Sequence, residues 1–356
     1  MGKSSSKVSF SPSCKLCEDR KVSKPEPSTW SCKECWILMC DSCKQNIHPE
    51  MMHPETHTVR EIGKVDDDSA VISSVVNTYK TKSKNIMKVL CSNDDILYYR
   101  HYNSEKSEIS VVKSKISKSM KILQKIAIEC TDIALSSTDE LFFSPAQSPS
   151  ELKTFAKSGE IKTLLDVSPM DIFCIHVNKE NEQILVLVEQ SEPYNQTIAV
   201  FGTDHEKKVT IDNKSKIFNK ILRIVCDSRN QMYAIDEKAD EDGNRRVVSF
   251  DMEGNIIFSY DGCERIKTDL FTPTDIVVTA DDNIIIADMF SNALHVLNTE
   301  GELIALQNTM EYGIEMPESL SIDKAGYLLI GCDTCTVEKY KDFANIYRVK
   351  TSENYL

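Results

Sequence analysis

Between about residues 84 and 351, short apolar runs alternate with polar turn formers, and the alternation repeats. The clearest unit covers residues 273–307. Its runs at 276–278, 284–287, 294–297 and 302–306 are rich in β-branched and other apolar residues, as strands are. Asp281-Asp282-Asn283 and Asn298-Thr299-Glu300-Gly301 separate them with residues that tolerate tight turns. Gly254 lies 47 residues before Gly301, and Gly159 lies 95 before Gly254, one and about two periods of the same length. Asp132 and Asp275 head aligned runs 143 residues apart, three periods. Four strands per period describes a propeller blade, and the length predicts six blades, starting near Lys84, Cys130, Asp171, Ile221, Pro273 and Pro317. Such strands cannot hide their apolar faces alone, so stacking them in a ring buries the faces. The strand near 346–349 or the segment near 75–79 is expected to close the ring by completing a shared blade. One stretch is ambiguous: Ile109, Val112, Ile116, Met120 and Leu123 read either as helix spacing or as two strands flanking KSKIS.

Composition adds limits. The chain is 41% hydrophobic and 27% charged, which suits a globular, soluble protein, and no apolar run approaches the ~20 residues of a bilayer crossing. The net charge is −13, yet residues 1–60 sum to +2, so the remainder carries −15. A domain this acidic is poorly suited to neutralising phosphates, which argues against DNA and disfavours RNA as partner. The basic exception is Lys113, Lys115, Lys118, Lys121 and Lys125, all in one predicted blade and without interleaved aromatics.

The chemistry is concentrated in front of the repeats. Cys14-x2-Cys17, Cys32-x2-Cys35 and Cys40-x2-Cys43 are followed by His48, His53 and His57. Thiolates two residues apart can reach one tetrahedral zinc from a single turn, and three such pairs with two imidazoles supply two closed sites. A segment this short cannot bury a self-sufficient core, so two zinc ions must supply its folding free energy. A disulfide framework would need an oxidising compartment, whereas the opening MGKSSSKVSF has no apolar signal segment. Cys91, Cys130, Cys174, Cys226, Cys263, Cys332 and Cys335 are scattered through later runs, as reduced thiols are.

This ligand order, with Trp30 beside the second pair and Thr58-Val59 after the last histidine, resembles the B-box zinc finger of tripartite-motif proteins. The resemblance implies cross-bracing: Cys14, Cys17, Cys40 and Cys43 on one zinc, and Cys32, Cys35, His48 and His57 on the other. His53 is the alternative to His48, which is preferred because the family commonly leaves a longer gap before the final histidine. The loop between Cys17 and Cys32 is longer than the family's. PTDIVVTADDNIIIADMFSNALHVLNTEGE resembles an NHL-type repeat, although Cys332 stands where the best blade has Asp288 and the third blade lacks the glycine turn. The long coiled coil of tripartite-motif proteins has no room here.

Met1-Gly2-Lys3-Ser4-Ser5-Ser6 fits the N-myristoylation pattern, with Gly2 as acceptor. One acyl chain gives weak, reversible membrane contact. The expected organisation is a tail at 1–12, a B-box-type module at 13–60, a linker at 61–83, a six-bladed NHL-like propeller at 84–351 and a tail at 352–356. All six early cysteines belong to one module, which leaves none for a RING and implies no intrinsic ligase activity. Related six-bladed propellers include calcium-dependent lactonases, but His101, His176, His205 and His295 occupy unrelated repeat positions, and no catalytic residues are predicted. Asp236 and Asp288 recur at strand ends as turn acceptors. The expected function is a cytoplasmic zinc-binding adaptor, peripheral to membranes if acylated. Its B-box docks proteins and its propeller recognises a protein ligand, with a part in ubiquitin transfer through a RING-bearing partner. RNA-binding regulation through the propeller is the alternative, and a lactonase-type hydrolase a weaker one.

Overall fold

The computed structural model describes residues 14–355 except 24–25, 33–34, 36, 52–56, 58, 62–69, 104–107, 127, 157, 191–193, 214–216, 240–242, 265, 267–269, 335–342 and 353–354. Gly2, His53 and Cys335 lie outside the described residues.

The repeats fold into six four-stranded antiparallel sheets. Blade 1 runs from Lys88 to Ile126, blade 2 from Cys130 to Asp166, and blade 3 from Asp171 to Asp212. Blade 4 runs from Lys220 to Tyr260 and blade 5 from Pro273 to Asn308. Blade 6 takes three strands from the chain end (Pro317–Ile322, Leu328–Cys332 and Asn345–Thr351) and its fourth, Ile72–Lys80, from far upstream. Each blade's first strand touches the first strand of the next blade, and that of blade 6 touches that of blade 1, so the ring is closed.

Two predicted boundaries move. The span expected as a linker, 61–83, contains Ile72–Lys80, which pairs with Asn345–Thr351 along its length, so the segments expected near 75–79 and 346–349 together complete the shared blade. Val71 and Ile72 are fully buried in the core, so the propeller begins by residue 71. Two residues of the expected tail at 352–356 are also anchored: Tyr355 is buried in the seam between blades 5 and 6, and the Ser352 amide donates to the Val71 carbonyl. The ambiguous stretch is a hairpin of Glu108–Ile116 and Met120–Ile126, turning at residues 117–119 rather than across KSKIS. It sits on the rim, where one covered face suffices and period-2 packing displaces the helical reading.

There is no single core. Six apolar clusters occupy the six seams between adjacent blades. Second strands such as Ile284–Asp288 and Leu141–Pro145 are buried along their whole length, because both sheet faces meet a neighbour. Fourth strands such as Met120–Ile126 stay largely exposed.

Local chemistry repeats with the blades. The first turn of every blade contains one residue with positive φ: Asp95, Asp139, Glu182, Asn230, Asp282 and Gly326. Asp and Asn tolerate this left-handed region better than most side chains. At the last turn of blade 5, Gly301 has φ 86° and the ring of Phe258 from blade 4 packs so closely that a Cβ would sit 2.4 Å from it. Blade 3 lacks this glycine because His205 takes the left-handed position, at φ 60°.

In blades 2 to 6 the pairing of the first two strands slips near the start of the inner strand. A residue at the slip or just past it reaches the next blade. Asp132 accepts from the Ile175 amide at 2.9 Å, Asp275 accepts from the Leu320 amide at 2.9 Å, and Ser319 donates to the Ile86 carbonyl at 2.6 Å. A bulge re-aims a side chain. Here the re-aimed position latches consecutive blades.

Closure by the upstream strand can be tested. Ile72→Asn places an amide where no water reaches, and should cost about 3 kcal/mol of propeller stability in denaturant titrations. Val76→Asn, on the exposed face of the same strand, should change it by less than about 0.5 kcal/mol. Equal effects would rule out a shared sixth blade.

Candidate metal centre and exposed face

The front module contains two short helices, α1 (Lys15–Asp19) and α2 (Asp41–Asn46), and a small sheet of β1 (Trp30–Cys32), β2 (Ile37–Met39) and β3 (Val59–Glu61), in the order β2-β1-β3. Its buried core is six cysteines and Met39. Sulfur takes the place of a hydrocarbon interior.

The structure brings together Cys14, Cys17, Cys40 and Cys43 in one cluster, and Cys32, Cys35, His48 and His57 in a second. Within each cluster the donor atoms lie within 4.8 Å of one another. Local structure explains the first. Cys14 caps α1 and Cys40 caps α2, and the second cysteine of each pair lies one helical turn on, so both sulfurs project from one side. In the second, β1 ends at Cys32 and the chain turns back so tightly that the Cys35 amide donates to Cys32 Sγ at 3.4 Å. His48 opens a 3-10 turn at 48–50, and His57 stands just before β3. Trp30 ties sheet to helix: Nε1 donates to Asp41 Oδ1 at 2.6 Å while Lys44 lies over the ring.

The donor geometry fits a metal. Tetrahedral bonds of ~2.3 Å would hold sulfurs about 3.8 Å apart. Cys17 Sγ lies 3.5 Å from Cys43 Sγ and 3.9 Å from Cys40 Sγ. In the second cluster Cys35 Sγ is 3.2 Å from His57 Nδ1 and 3.8 Å from His48 Nε2, and the two nitrogens are 3.2 Å apart. These cysteines are free thiols rather than disulfides. Burial, and then the neighbouring Cys17, Cys14 and Cys40 thiols, push the Cys43 thiol well above its ordinary range. A divalent cation reverses that preference, because it binds the thiolates. Among the described residues no third group of this kind converges.

The propeller's functional side chains leave a weaker mark on the sequence. Connections between second and third strands all emerge on the side of the ring where the inner strands begin. Three of them display an exposed aromatic ring among the described residues, Tyr194, Phe290 and Phe343, from 50% to 53% exposed, and Tyr102 stands 39% exposed near the end of the second strand of blade 1. The one clue along the chain is an aromatic residue amid turn formers, as in Asp288-Met289-Phe290-Ser291-Asn292.

The histidines do not assemble into a site. His101 belongs to blade 1, His176 and His205 to blade 3, and His295 to blade 5. His295 is fully enclosed, with Nδ1 2.8 Å from the Tyr260 hydroxyl and Nε2 3.5 Å from Asp288 Oδ2. Asp288 also accepts from the Thr272 amide and hydroxyl, while Asp236 accepts from the Asn219 and Lys220 amides and pairs with Arg246 at 2.9 Å. Both aspartates pin the loops that lead into their blades.

Charged side chains cross the central channel. Arg223 of blade 4 donates to the Met87 carbonyl, leading into blade 1 on the opposite side, at 3.2 Å. Lys88 pairs with Asp275 at 3.1 Å, and Arg223 Nε lies 3.8 Å from the same carboxylate. Glu318 of blade 6 has its pKa pushed up to about 8 by burial and then by Asp333.

No protein-family model matches the chain. No curated relative matches it either. Solved structures share the propeller fold. Regucalcin from Agrobacterium tumefaciens, a calcium-binding protein, superposes with TM-score 0.54 at 11% identity, covering 80% of this chain and 97% of its own. The WD40 propeller domain of Doa1 gives 0.50 at 11%, covering 77% and 96%. A protein of unknown function from Bacteroides thetaiotaomicron gives 0.54 at 12%, covering 80% and 74%. At such identities the likeness establishes a six-bladed β-propeller, here carrying two Cys/His clusters able to hold metal ions.

Cys40→Ser should abolish amide-exchange protection across residues 14–61 and leave residues 72–351 protected, as read by hydrogen–deuterium exchange. Joint loss would mean that module and propeller do not fold independently. For Glu318, a carboxyl pKa higher in the folded state means that folding binds a proton between pH 4.5 and 8. Stability therefore falls as pH rises through that window, and Glu318→Gln should flatten the decline in thermal melts at pH 5 and 8.

Proposed function

We propose that this protein is a zinc-dependent adaptor of the B-box and NHL-propeller kind, whose module docks proteins and whose propeller captures a protein ligand. Eight soft and borderline donors in two tetrahedral sets support zinc. Cys14, Cys17, Cys40 and Cys43 would hold one ion, and Cys32, Cys35, His48 and His57 the other. With four protein ligands each, neither ion keeps an open position for water or substrate, so the metal's contribution is to cross-link a module without an apolar core.

The observation that carries the binding role is the exposed aromatic set on one face of a rigid ring. Exposed Tyr and Phe on loops held by a stiff scaffold are the typical anchors of protein recognition. A non-enzymatic reading is supported by the propeller's histidines, which lie in blades 1, 3 and 5 and do not assemble into a site. The RNA reading has less support. The five lysines Lys113, Lys115, Lys118, Lys121 and Lys125 occupy only the outer two strands of blade 1 and their turn, rather than a groove that could track a nucleic-acid strand. Cytoplasmic placement, reversible membrane contact through an acylated Gly2, and assistance to a RING-bearing ligase belong to the same proposal and rest on the sequence pattern.

Elemental analysis of the purified chain should return two zinc atoms per molecule. In a pull-down from lysate, Tyr194→Ala/Phe290→Ala/Phe343→Ala should lose at least tenfold of the captured protein at unchanged thermal stability, and RNase should make no difference. Capture that survives the triple substitution, or that vanishes with RNase, would count against protein recognition by this face.

A further inference from the structure

Beyond the charges that cross the channel lies a cavity of about 410 Å³. It is lined by the later halves of all six inner strands and opens among the first turns of the blades, on the face opposite the aromatic rings. Volumes of this order suit small-molecule ligands. Leu90, Val225, Val278 and Ile322 give it apolar walls. Its mouth carries both signs, with Lys179 and Lys324 beside Glu180, Asp227 and Asp282, and so selects little by charge.

The inner end is different. Lys88 lines the cavity, and so does His176. The Lys88 ammonium has three donors, and among the described residues its hydrogen bonds go to the Asp275 carboxylate alone. Around it, Lys88, Arg100 and Arg223 face Asp132, Asp275 and Glu318, all on or beside the inner strands. Glu318 is faced in turn by Asp333, and burial together with that neighbour pushes its pKa up to about 8. Asp275 is shared between Lys88 and Arg223, and one oxygen of Asp132 is used up on the Ile175 amide. His176 Nε2 is enclosed without a hydrogen-bond partner among the described residues. Burial, followed by Lys88 and Lys179, lowers this ring's pKa to about 3, so the imidazole stays neutral. A lysine ammonium with donors to spare and a neutral imidazole nitrogen without a partner, at the inner end of a cavity walled in part by apolar side chains, suit an anion that brings its own apolar surface.

We propose that this cavity is a binding site for a small organic carboxylate, with the charged end meeting Lys88 beside His176 and the apolar body lying along Leu90, Val225, Val278 and Ile322. The site is independent of the adaptor reading, since it lies on the other face and involves neither zinc cluster. Amines are disfavoured by the Lys88 ammonium, and alcohols bring no charge to pair with it.

Hexanoate, hexan-1-ol and hexylamine serve as probes on the full chain, by isothermal titration and by thermal shift at pH 7. Hexanoate should bind and raise the propeller's melting temperature, while the alcohol and the amine bind at least tenfold more weakly. Lys88→Met should weaken hexanoate at least tenfold. Because that change also removes a partner of Asp275, Val278→Phe provides a second route: it fills the wall, keeps the charges and should likewise lose hexanoate. Absence of hexanoate binding, equal binding of the amine, or full binding in Val278→Phe would overturn the assignment.

Discussion

A four-stranded sheet with apolar side chains on both faces cannot stand in water, and the propeller is built around that constraint. Each seam buries one face of two blades at once, so no blade is stable without both neighbours. The ring therefore has to close, and it closes by borrowing Ile72–Lys80 to finish a sheet whose other strands lie at the far end of the chain. Joining segments so distant costs loop entropy that grows only slowly with separation, while closure brings the sixth seam and covers an open sheet edge. Tyr79 shows the coupling: its ring is buried in the seam of blades 6 and 1, and its hydroxyl donates to the Ser117 carbonyl of blade 1 at 3.0 Å.

The front module meets the same problem with different means. Too short to bury enough hydrocarbon, it surrounds its centre with thiols and imidazoles. Crowded neutral thiols gain little from one another, whereas two cations would gather eight donors into cross-links between segments that otherwise share few contacts. Metal occupancy of the module would thus be coupled to its folding, as ring closure is coupled to folding of the propeller.

Closure also sets the chemistry of the channel. Inner strands converge, bulges turn their polar side chains inward, and charges from opposite blades meet. Part of that charge latches blades together, as with Asp132 and Asp275. The remainder, around Lys88 and Arg223, leaves a charged end to a space whose walls are part apolar and part polar. The aromatic loops on the opposite face are free of this burden, because the scaffold holds them without needing their side chains.

Period, turn chemistry and cysteine spacing are local properties, and each is legible along the chain. Asp281-Asp282-Asn283 announces a left-handed turn position, repeated strands announce blades, and paired cysteines announce clusters able to hold a metal. Less can be read where partners are remote in sequence. Residues 61–83 have the composition of a linker; the apolar segment near 75–79 marks a candidate closing strand, but only its pairing with Asn345–Thr351 fixes the bounds Ile72–Lys80. Lys88, Arg223 and Glu318 look like ordinary surface charges until the ring brings them to one axis. Phe290 and Phe343 could equally have been core residues. Short-range sterics and hydrogen bonding act within a few residues and so leave a mark on local sequence. Burial, charge balance and shared faces depend on which distant segments meet, and only the closed ring determines that.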